Sequence, residues 1–414
     1  MIEHHDEPTR AQALERLNQF APFMGSHYAG RRNVDTGIEG RANVSQLSPF
    51  IRLRLLSEEE IVSAALTVHG EEQAFKFIQE ICWRTYFKGW LEHRPLIWRD
   101  YVDTRMSQAA LLEKDASLRE DYEAAIDGRT GVDGFDHWAR ELAETGYLHN
   151  HARMSFASIW LFTLKLPWAL GADFFLRHLL DGDPASNTLS WRWVAGLHTA
   201  GKPYLAKREA IETCSDGRFS PRKLADRPRD IDGTQNPPPE TITAADPLPQ
   251  KPFALLLTED DLSIETWLDE HLDVEAVAGM ESASFRCAGG VSQAARDFTA
   301  GALADGLARA ALHFGVPETN LSKQVEPDTA LLDWSGQLQV RDIVVPFIPT
   351  GWTRDRMAPL LRKLRSEGFE VHEIRRDWDD AFWPHTKKGY FKLRKQIPSV
   401  LDALGVAEGL KTDG

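Results

Sequence analysis

The chain has 414 residues, 42% of them apolar and 27% charged, with a formal net charge of −14. That length accommodates two or three domains with buried cores, and the composition excludes a disordered chain. The acidic balance excludes broad electrostatic adhesion to nucleic acid or anionic membrane, so any DNA-binding face must be a local patch.

The opening "MIEHHDEPTR" is acidic and polar, unlike a signal peptide. Cys82, Cys214 and Cys287 lie far apart with no C-x-x-C pair, which excludes a four-cysteine metal site and points to a reducing compartment. The longest apolar run, "MSFASIWLFTLKLPWALG", is interrupted by Lys165 and Pro167 and reads as a buried helix rather than a bilayer span. A cytoplasmic protein is expected.

Residues 8–215 read as mostly helical. "EEEIVSAALTV", "EEQAFKFIQEICWRTYFKGWLEH" and "GFDHWARELAETGYLHNHARMSFASIWLFTLKL" carry apolar residues at three- and four-residue spacing. Within this region "NVSQLSPF" (43–50) offers Ser45 and Ser48 either as a helix start or as a phosphate-holding segment. In "FIQEICWRTYF" (77–87), Glu80 and Arg84 are one helical turn apart, and Trp83 shares roughly the face of Glu80. A surface Glu80–Arg84 pair would contribute only ~0–1 kcal/mol, but Phe77, Ile81 and Cys82 suggest an enclosed helix, where a glutamate needs a partner or a role.

In "TGYLHNHARMSF" (145–156), Asn150, Arg153 and Met154 share one face. His149 and His151 lack an i, i+4 partner, so no metal site is expected. "DGDPASNTLSWRW" (181–193) has two readings: Asp181 and Asp183 cap a helix with Pro184 in its first turn, or they line a cofactor floor with tryptophans beside it.

Residues 216–252 are rich in proline and charge with no apolar period and read as an extended linker. From 253, strands ("FALLL", "VEAVAG", "RDIVVPFI", "FEVHEI") alternate with helices ("RDFTAGALADGLARAALHFG", "TRDRMAPLLRKLRSEG"). This pattern predicts a parallel α/β, Rossmann-like domain over 253–414. The expected fold class is thus multidomain α and α/β, with a helical domain over 1–215. No Walker A or G-x-G-x-x-G motif is present, and Gly289-Gly290 reads as a plain turn.

Tyr28, "VSQLSP", "EICWR", "TGYLHNHARM" and "LLDGDPASNTLSWRW" follow one another in the order and spacing of a known family. Over about residues 28–205 the chain resembles the FAD-binding helical domain of the DNA photolyase/cryptochrome family. The resemblance implies FAD as cofactor, held by Tyr28, Val44, Ser45, Leu47, Ser48, Arg84, Asn150, Arg153, Asp181, Asp183 and Asn187. Ser45, Leu47, Ser48 and Arg84 would grip the diphosphate. Arg153 would pair with Asp181 beside the isoalloxazine, Asp181 and Asp183 would contact its polar edge and the adenine side, and Asn187 would face N5.

On the substrate side, Glu80 would contact a damaged pyrimidine pair, and Trp83 and Trp193 would cradle the flipped-out dimer, with His151 near the DNA. Asn150 and Met154 match the cyclobutane-dimer type; the (6-4) type has histidines there. Trp191 and Trp168 match the inner members of the family's photoreduction chain. The outer position falls near Asp115, so either Trp138 or Trp160 substitutes or photoreduction is weak.

These matches imply light-dependent repair of cyclobutane pyrimidine dimers in DNA by electron donation from reduced FAD. Val44, Gln46 and Phe77 replace the family's usual threonine, arginine and tryptophan, and His151 stands where repair enzymes commonly have arginine. With the net charge, these departures favour the alternative, a cryptochrome-like blue-light receptor that binds FAD and signals through an unknown partner. The set Arg153, Asp181 and Asp183 argues against a flavin-free relative.

The family's α/β antenna domain normally comes first; here an α/β domain follows. "FALLLTEDDLSIE" and "FWPHTKKGYFKLRKQI" faintly resemble that domain's first and last segments, so a circular permutation is expected ahead of its rival, an unrelated α/β domain. No antenna chromophore can be named from these residues.

Overall fold

The computed structural model describes residues 7–406; residues 1–6, within the polar opening stretch, lie outside them. The helical half comprises α1 (Arg10–Phe20), α2 (Ser26–Arg31), α3 (Ser48–Arg52), α4 (Glu58–Glu92), α5 (Leu96–Lys114), α6 (Ala116–Ile126), α7 (Phe135–Thr145), α8 (Asn150–Ser158), α9 (Trp168–His178), α10 (Pro184–Val194) and α11 (Arg208–Cys214).

Local chemistry sets where these helices begin and break. A capping box opens α4: the Ser57 side chain accepts from the Glu60 N–H while the Glu60 carboxylate accepts from the Ser57 N–H. Gly70, at φ 67°, kinks α4 and divides the two stretches that the sequence presents separately. The long run from Gly134 to Leu166, read as mostly helical, is interrupted. Gly146 takes a left-handed conformation (φ 67°) that ends α7, His149 starts α8 with its side chain, and a π turn over Ile159–Thr163 follows.

The C-terminal half carries β1 (Phe253–Thr258), β2 (Val274–Met280), α12 (Gln293–Phe314), β3 (Glu318–Asn320), α13 (Pro327–Gln337), β4 (Asp342–Pro346), α14 (Trp352–Ser366), β5 (Glu370–Ile374), α15 (Asp377–Phe382), α16 (Tyr390–Arg394) and α17 (Ile397–Ala403). All strand pairs are parallel, in the order β3-β2-β1-β4-β5, with Leu256 opposite Ala278, Ala254 opposite Ile343 and Val344 opposite His372. This is the doubly wound order. β3 and α13 were not apparent from the pattern, because a three-residue strand offers no readable alternation.

Every residue of β1 is buried, and its two faces serve different cores. Ala254 and Leu256 pack with Ile343, Val345, Met357 and Leu361, whereas Phe253, Leu255 and Leu257 belong to a core continuous with the helical half. Residues 216–252 form no helix or strand but run as an ordered strap. The Arg94 Nε donates to the Pro237 carbonyl (3.0 Å), the Glu240 N–H to the His93 carbonyl (2.7 Å) and the Asp246 N–H to the Glu373 carbonyl (3.0 Å).

The carboxyl ends of the strands face the helical half. Beyond β1, Asp260 pairs with Arg52 (2.8 Å) and Asp261 with Arg376 (2.6 Å), while Asp379 of α15 pairs with Arg54 (2.7 Å). No helix among the described residues is long and apolar enough to cross a membrane.

Candidate functional site

A cavity of about 500 Å³ opens between α2, the 44–48 segment, α4 and α8. Tyr28, Val44, Ser45, Leu47, Ser48, Glu80, Arg84, Asn150, His151 and Met154 all line it, so four separate sequence segments converge on one space. Gln46, at φ 53°, bends the 44–48 segment, and the Asn43 amide ties its start to the carbonyls of Arg31 (2.8 Å) and Val34 (2.7 Å).

Glu80 does not pair with Arg84. It lies 3.4 Å from the Arg32 Nε and 3.2 Å from the Lys76 Nζ. Arg84 turns to the opposite side, toward Glu58 (3.7 Å) and Asp183 (3.6 Å), because two buried carboxylates attract it more strongly than one half-exposed glutamate. Its buried Nε makes no hydrogen bond.

Arg153 grips Asp181 with both terminal nitrogens, at 3.0 and 2.8 Å, and its Nε donates to the Leu148 carbonyl (2.8 Å). Burial alone would raise the Asp181 carboxyl; Arg153 and the Ser48 hydroxyl hold it below the usual aspartate range. Asp183 does cap α10, accepting the Ser186 N–H (2.8 Å). Burial would raise Asp183 too, but Arg84, Lys88 and Arg52 draw it well below that range. The capping reading thus holds at Asp183, and neither Asp181 nor Asp183 lines the cavity. Asn187 is buried in α10, and its amide donates to the Ala172 carbonyl (2.9 Å) rather than lining the cavity.

His149 is pushed down to about 4 by burial. Its Nδ1 accepts the His151 N–H (3.2 Å), so its Nε2 donates to the Arg32 carbonyl (2.9 Å). It is a structural imidazole. His151 is also held down by burial and lies 3.5 Å from the Cys214 sulfur.

The tryptophans divide into two groups. Trp191 packs in the core 6.2 Å from Trp160, and Trp160 lies 5.9 Å from Tyr122. Trp168 meets Tyr101 (5.8 Å), and Trp138 instead packs on Phe219 (5.5 Å). Trp83 and Trp193 do not line the cavity. Trp83 is stacked by Tyr390 of α16, centroids 3.5 Å apart, and Trp193 by Tyr204, 5.5 Å apart.

Three contributors escaped the sequence reading. Arg286 reaches the Asp181–Asp183 turn from the C-terminal half and donates to the Leu179 carbonyl. Lys88 is buried beside Asp183 and Asp260, and burial lowers it. Its position one turn after Arg84 in an apolar helix was a usable signal; nothing local announces Arg286 or Tyr390. Elsewhere, Asp342, Glu370 and His372 gather at the amino ends of β4 and β5, where a 2.8 Å His372–Asp342 pair accounts for them.

Residues 77–221 match the family described as the FAD binding domain of DNA photolyase. Over these residues the helical half is similar to the DNA photolyase/cryptochrome family. The deoxyribodipyrimidine photo-lyase of Thermus thermophilus is 35% identical over 198 residues, covering 48% of this chain and 45% of that protein. Those of Streptomyces griseus (35% over 160 residues, 38% and 33%) and Escherichia coli (31% over 206 residues, 46% and 40%) are also similar. The aligned part thus spans less than half the length of each relative. Among solved structures, a class III photolyase from Agrobacterium tumefaciens aligns with TM-score 0.43 at 25% identity, covering 50% of this chain and 43% of that one. A Synechocystis cryptochrome aligns with TM-score 0.40 at 24% identity, covering 49% and 42%.

The family domain binds FAD, and the residues present fit it. The cavity has the size of a cofactor site. Ser45 and Ser48 offer hydroxyls, and Arg84 brings a positive charge to the same wall, a set suited to a diphosphate.

Proposed function

We propose that this protein is a light-dependent DNA repair flavoprotein acting on cyclobutane pyrimidine dimers. The observation that carries this reading is the cavity that brings Glu80, Asn150 and Met154 against the same space as Ser45, Ser48 and Arg84. When bound, reduced FAD supplies, under light, the electron that splits the cyclobutane ring and receives it back. The chain's own residues do the rest. Ser45, Ser48 and Arg84 hold the diphosphate, the Arg153–Asp181 pair braces Ser48 from behind the cavity wall, and Glu80 offers a carboxylate to the pyrimidine edge.

The deciding experiment is blue-light irradiation of thymine-dimer DNA with the protein's flavin chemically reduced. Loss of dimers is expected. A colourless protein without flavin would sink every photochemical reading, and a yellow one that leaves dimers intact would sink repair.

One observation favours the second reading, a cryptochrome-like receptor: Tyr390 covers a face of Trp83, and Glu80 is engaged by Arg32 and Lys76. We also propose that the C-terminal half is the family's antenna domain in permuted position. Its parallel doubly wound sheet supports this. The crevice between the carboxyl ends of β1 and β4, where such sheets take ligands, holds about 10 Å³ and is lined by Lys88, Asp183, Pro184, Asp260 and Gly351. No antenna chromophore is assigned there.

A further inference from the structure

Between Ala381 and Leu401 the chain carries Lys387, Lys388, Lys392, Arg394 and Lys395 and no carboxylate, in a protein whose net charge is −14. All five cations are exposed, and among the described residues none pairs with an acid. Phe391, in their midst, is 70% exposed. Tyr390 anchors the segment: its ring stacks on Trp83 and its hydroxyl donates to the Gln79 carbonyl (2.6 Å). Gln79 and Trp83 flank Glu80 along α4, and both Glu80 and Arg394 act electrostatically on the Tyr390 phenol. The basic segment therefore borders the wall of the cavity.

We infer that Lys387–Lys395, with Phe391, is the surface that holds the phosphate backbone of DNA beside the cavity. Unpaired cations interleaved with an exposed aromatic ring match what a nucleic-acid strand offers, namely regularly spaced phosphates and base faces. A membrane would be met by one exposed phenylalanine, too little apolar area for insertion. The acidic remainder of the chain repels polyanions, so this patch also sets the orientation of approach. The inference rests on the repair reading for its choice of DNA among polyanions, and it places the contact in the C-terminal half rather than in the flavin domain.

The test uses the full-length, flavin-loaded chain in the dark with fluorescein-labelled, undamaged duplex and single-stranded DNA, followed by anisotropy across a potassium chloride series. K387Q/K388Q and K392Q/R394Q/K395Q are each expected to lower affinity about tenfold or more. The slope of log affinity against log salt should become shallower by roughly one for each cation removed. K363Q, which removes a cation paired with Glu367 on α14, serves as a control expected to bind like the parent. Flavin absorbance and thermal melting report folding, and the K387Q/K388Q pair lies outside α16, so one variant survives if the other misfolds.

Unchanged affinity and slope in both variants would overturn the inference. So would a parent that ignores DNA and binds phosphatidylserine vesicles. Dimer repair is read separately under light. Salt-dependent binding lost in the variants without any repair by the parent supports the surface and removes the repair reading; the converse retains repair and removes the surface.

Discussion

Tyr390 and Trp83 lie face to face, centroids 3.5 Å apart and planes 11° from parallel, although 307 positions of chain separate them. The stack joins α16 of the C-terminal half to α4, which lines the cavity. Tyr390→Ala should cost about 3–5 kcal/mol, as expected for removing a buried ring. Tyr390→Phe should cost only about 1 kcal/mol, the bond to the Gln79 carbonyl. Urea unfolding followed by tryptophan fluorescence checks both, and equal losses would mean that the hydroxyl rather than the stack holds the segment.

Asp183 separates capping from charge. Asp183→Asn retains an N-cap residue for α10 but leaves Arg52, Arg84 and Lys88 without their shared anion. A loss of about 3–5 kcal/mol is expected, together with weaker retention of FAD on gel filtration. The folded Asp181 and Asp183 carboxyls are held below their unfolded values. Below the ordinary aspartate value of about 3.9 the unfolded chain therefore binds more protons. The stabilisation they give is complete above that value and is lost as pH falls toward the folded values. An acid titration of the parent should show this loss, and Asp183→Asn should blunt it.

Glu259 has the opposite sign. Burial, aided by Asp260, pushes its carboxyl up to about 7, while Trp352 Nε1 (3.2 Å), Thr353 Oγ1 (3.1 Å) and the Ser282 N–H (3.0 Å) donate to it. Its folded value exceeds the unfolded one of about 4.3, so stability is fully present below pH 4.3 and declines until about pH 7. Glu259→Gln removes that decline. The variant should gain on the parent between pH 5 and pH 8 by on the order of 3 kcal/mol at most, read as diverging melting temperatures. Parallel melting curves across that range would show that Glu259 is already ionised when folded.

Much of the helical half was legible because its chemistry is local. The order of the "VSQLSP", "EICWR" and "DGDPASN" segments, and the three- and four-residue apolar spacing, survive in a single chain of letters. The pairing of Arg153 with Asp181 came from the resemblance and is present. What was not legible depends on tertiary contact. Glu80 and Arg84 are well spaced to pair, yet Glu58 and Asp183 win Arg84 because they are buried. Arg52 meets Asp260, and Tyr390 meets Trp83, across separations that no periodicity spans.

The aromatic core offers a defined route outward from Trp191. Trp160 stands 6.2 Å from it and Tyr122 lies 5.9 Å farther on, whereas Trp138 packs away on Phe219. Under the flavoprotein reading, Trp160→Phe should slow blue-light reduction of the flavin severalfold, and Trp138→Phe should leave it unchanged. Absorbance at the flavin band during illumination with an external thiol donor is the measurement. Equal rates in the two variants would exclude Trp160 from the path.

At Gly182 the C-terminal half packs directly against the acidic turn. A Cβ at this position would overlap the Arg286 guanidinium, which is buried, packs over Trp352 (5.7 Å) and donates to the Leu179 carbonyl. Burial, reinforced by the neighbouring Arg52, pushes Arg286 down to about 10, so its charge is held at a cost and persists near neutral pH. Gly182→Ala should therefore destabilise the chain by about 1–3 kcal/mol through overpacking. Arg286→Ala alone should also destabilise it, by removing the donor to Leu179. Combined, the second substitution makes room for the first, and the double variant should be more stable than the sum of the two single losses by about 1 kcal/mol or more. Strict additivity would place the Gly182 methyl elsewhere. The same variants read function: if Arg286 only fills space, Gly182→Ala/Arg286→Ala should retain FAD like the parent, whereas a role in holding Asp181 and Asp183 predicts faster flavin loss from the double variant even where its melting temperature recovers.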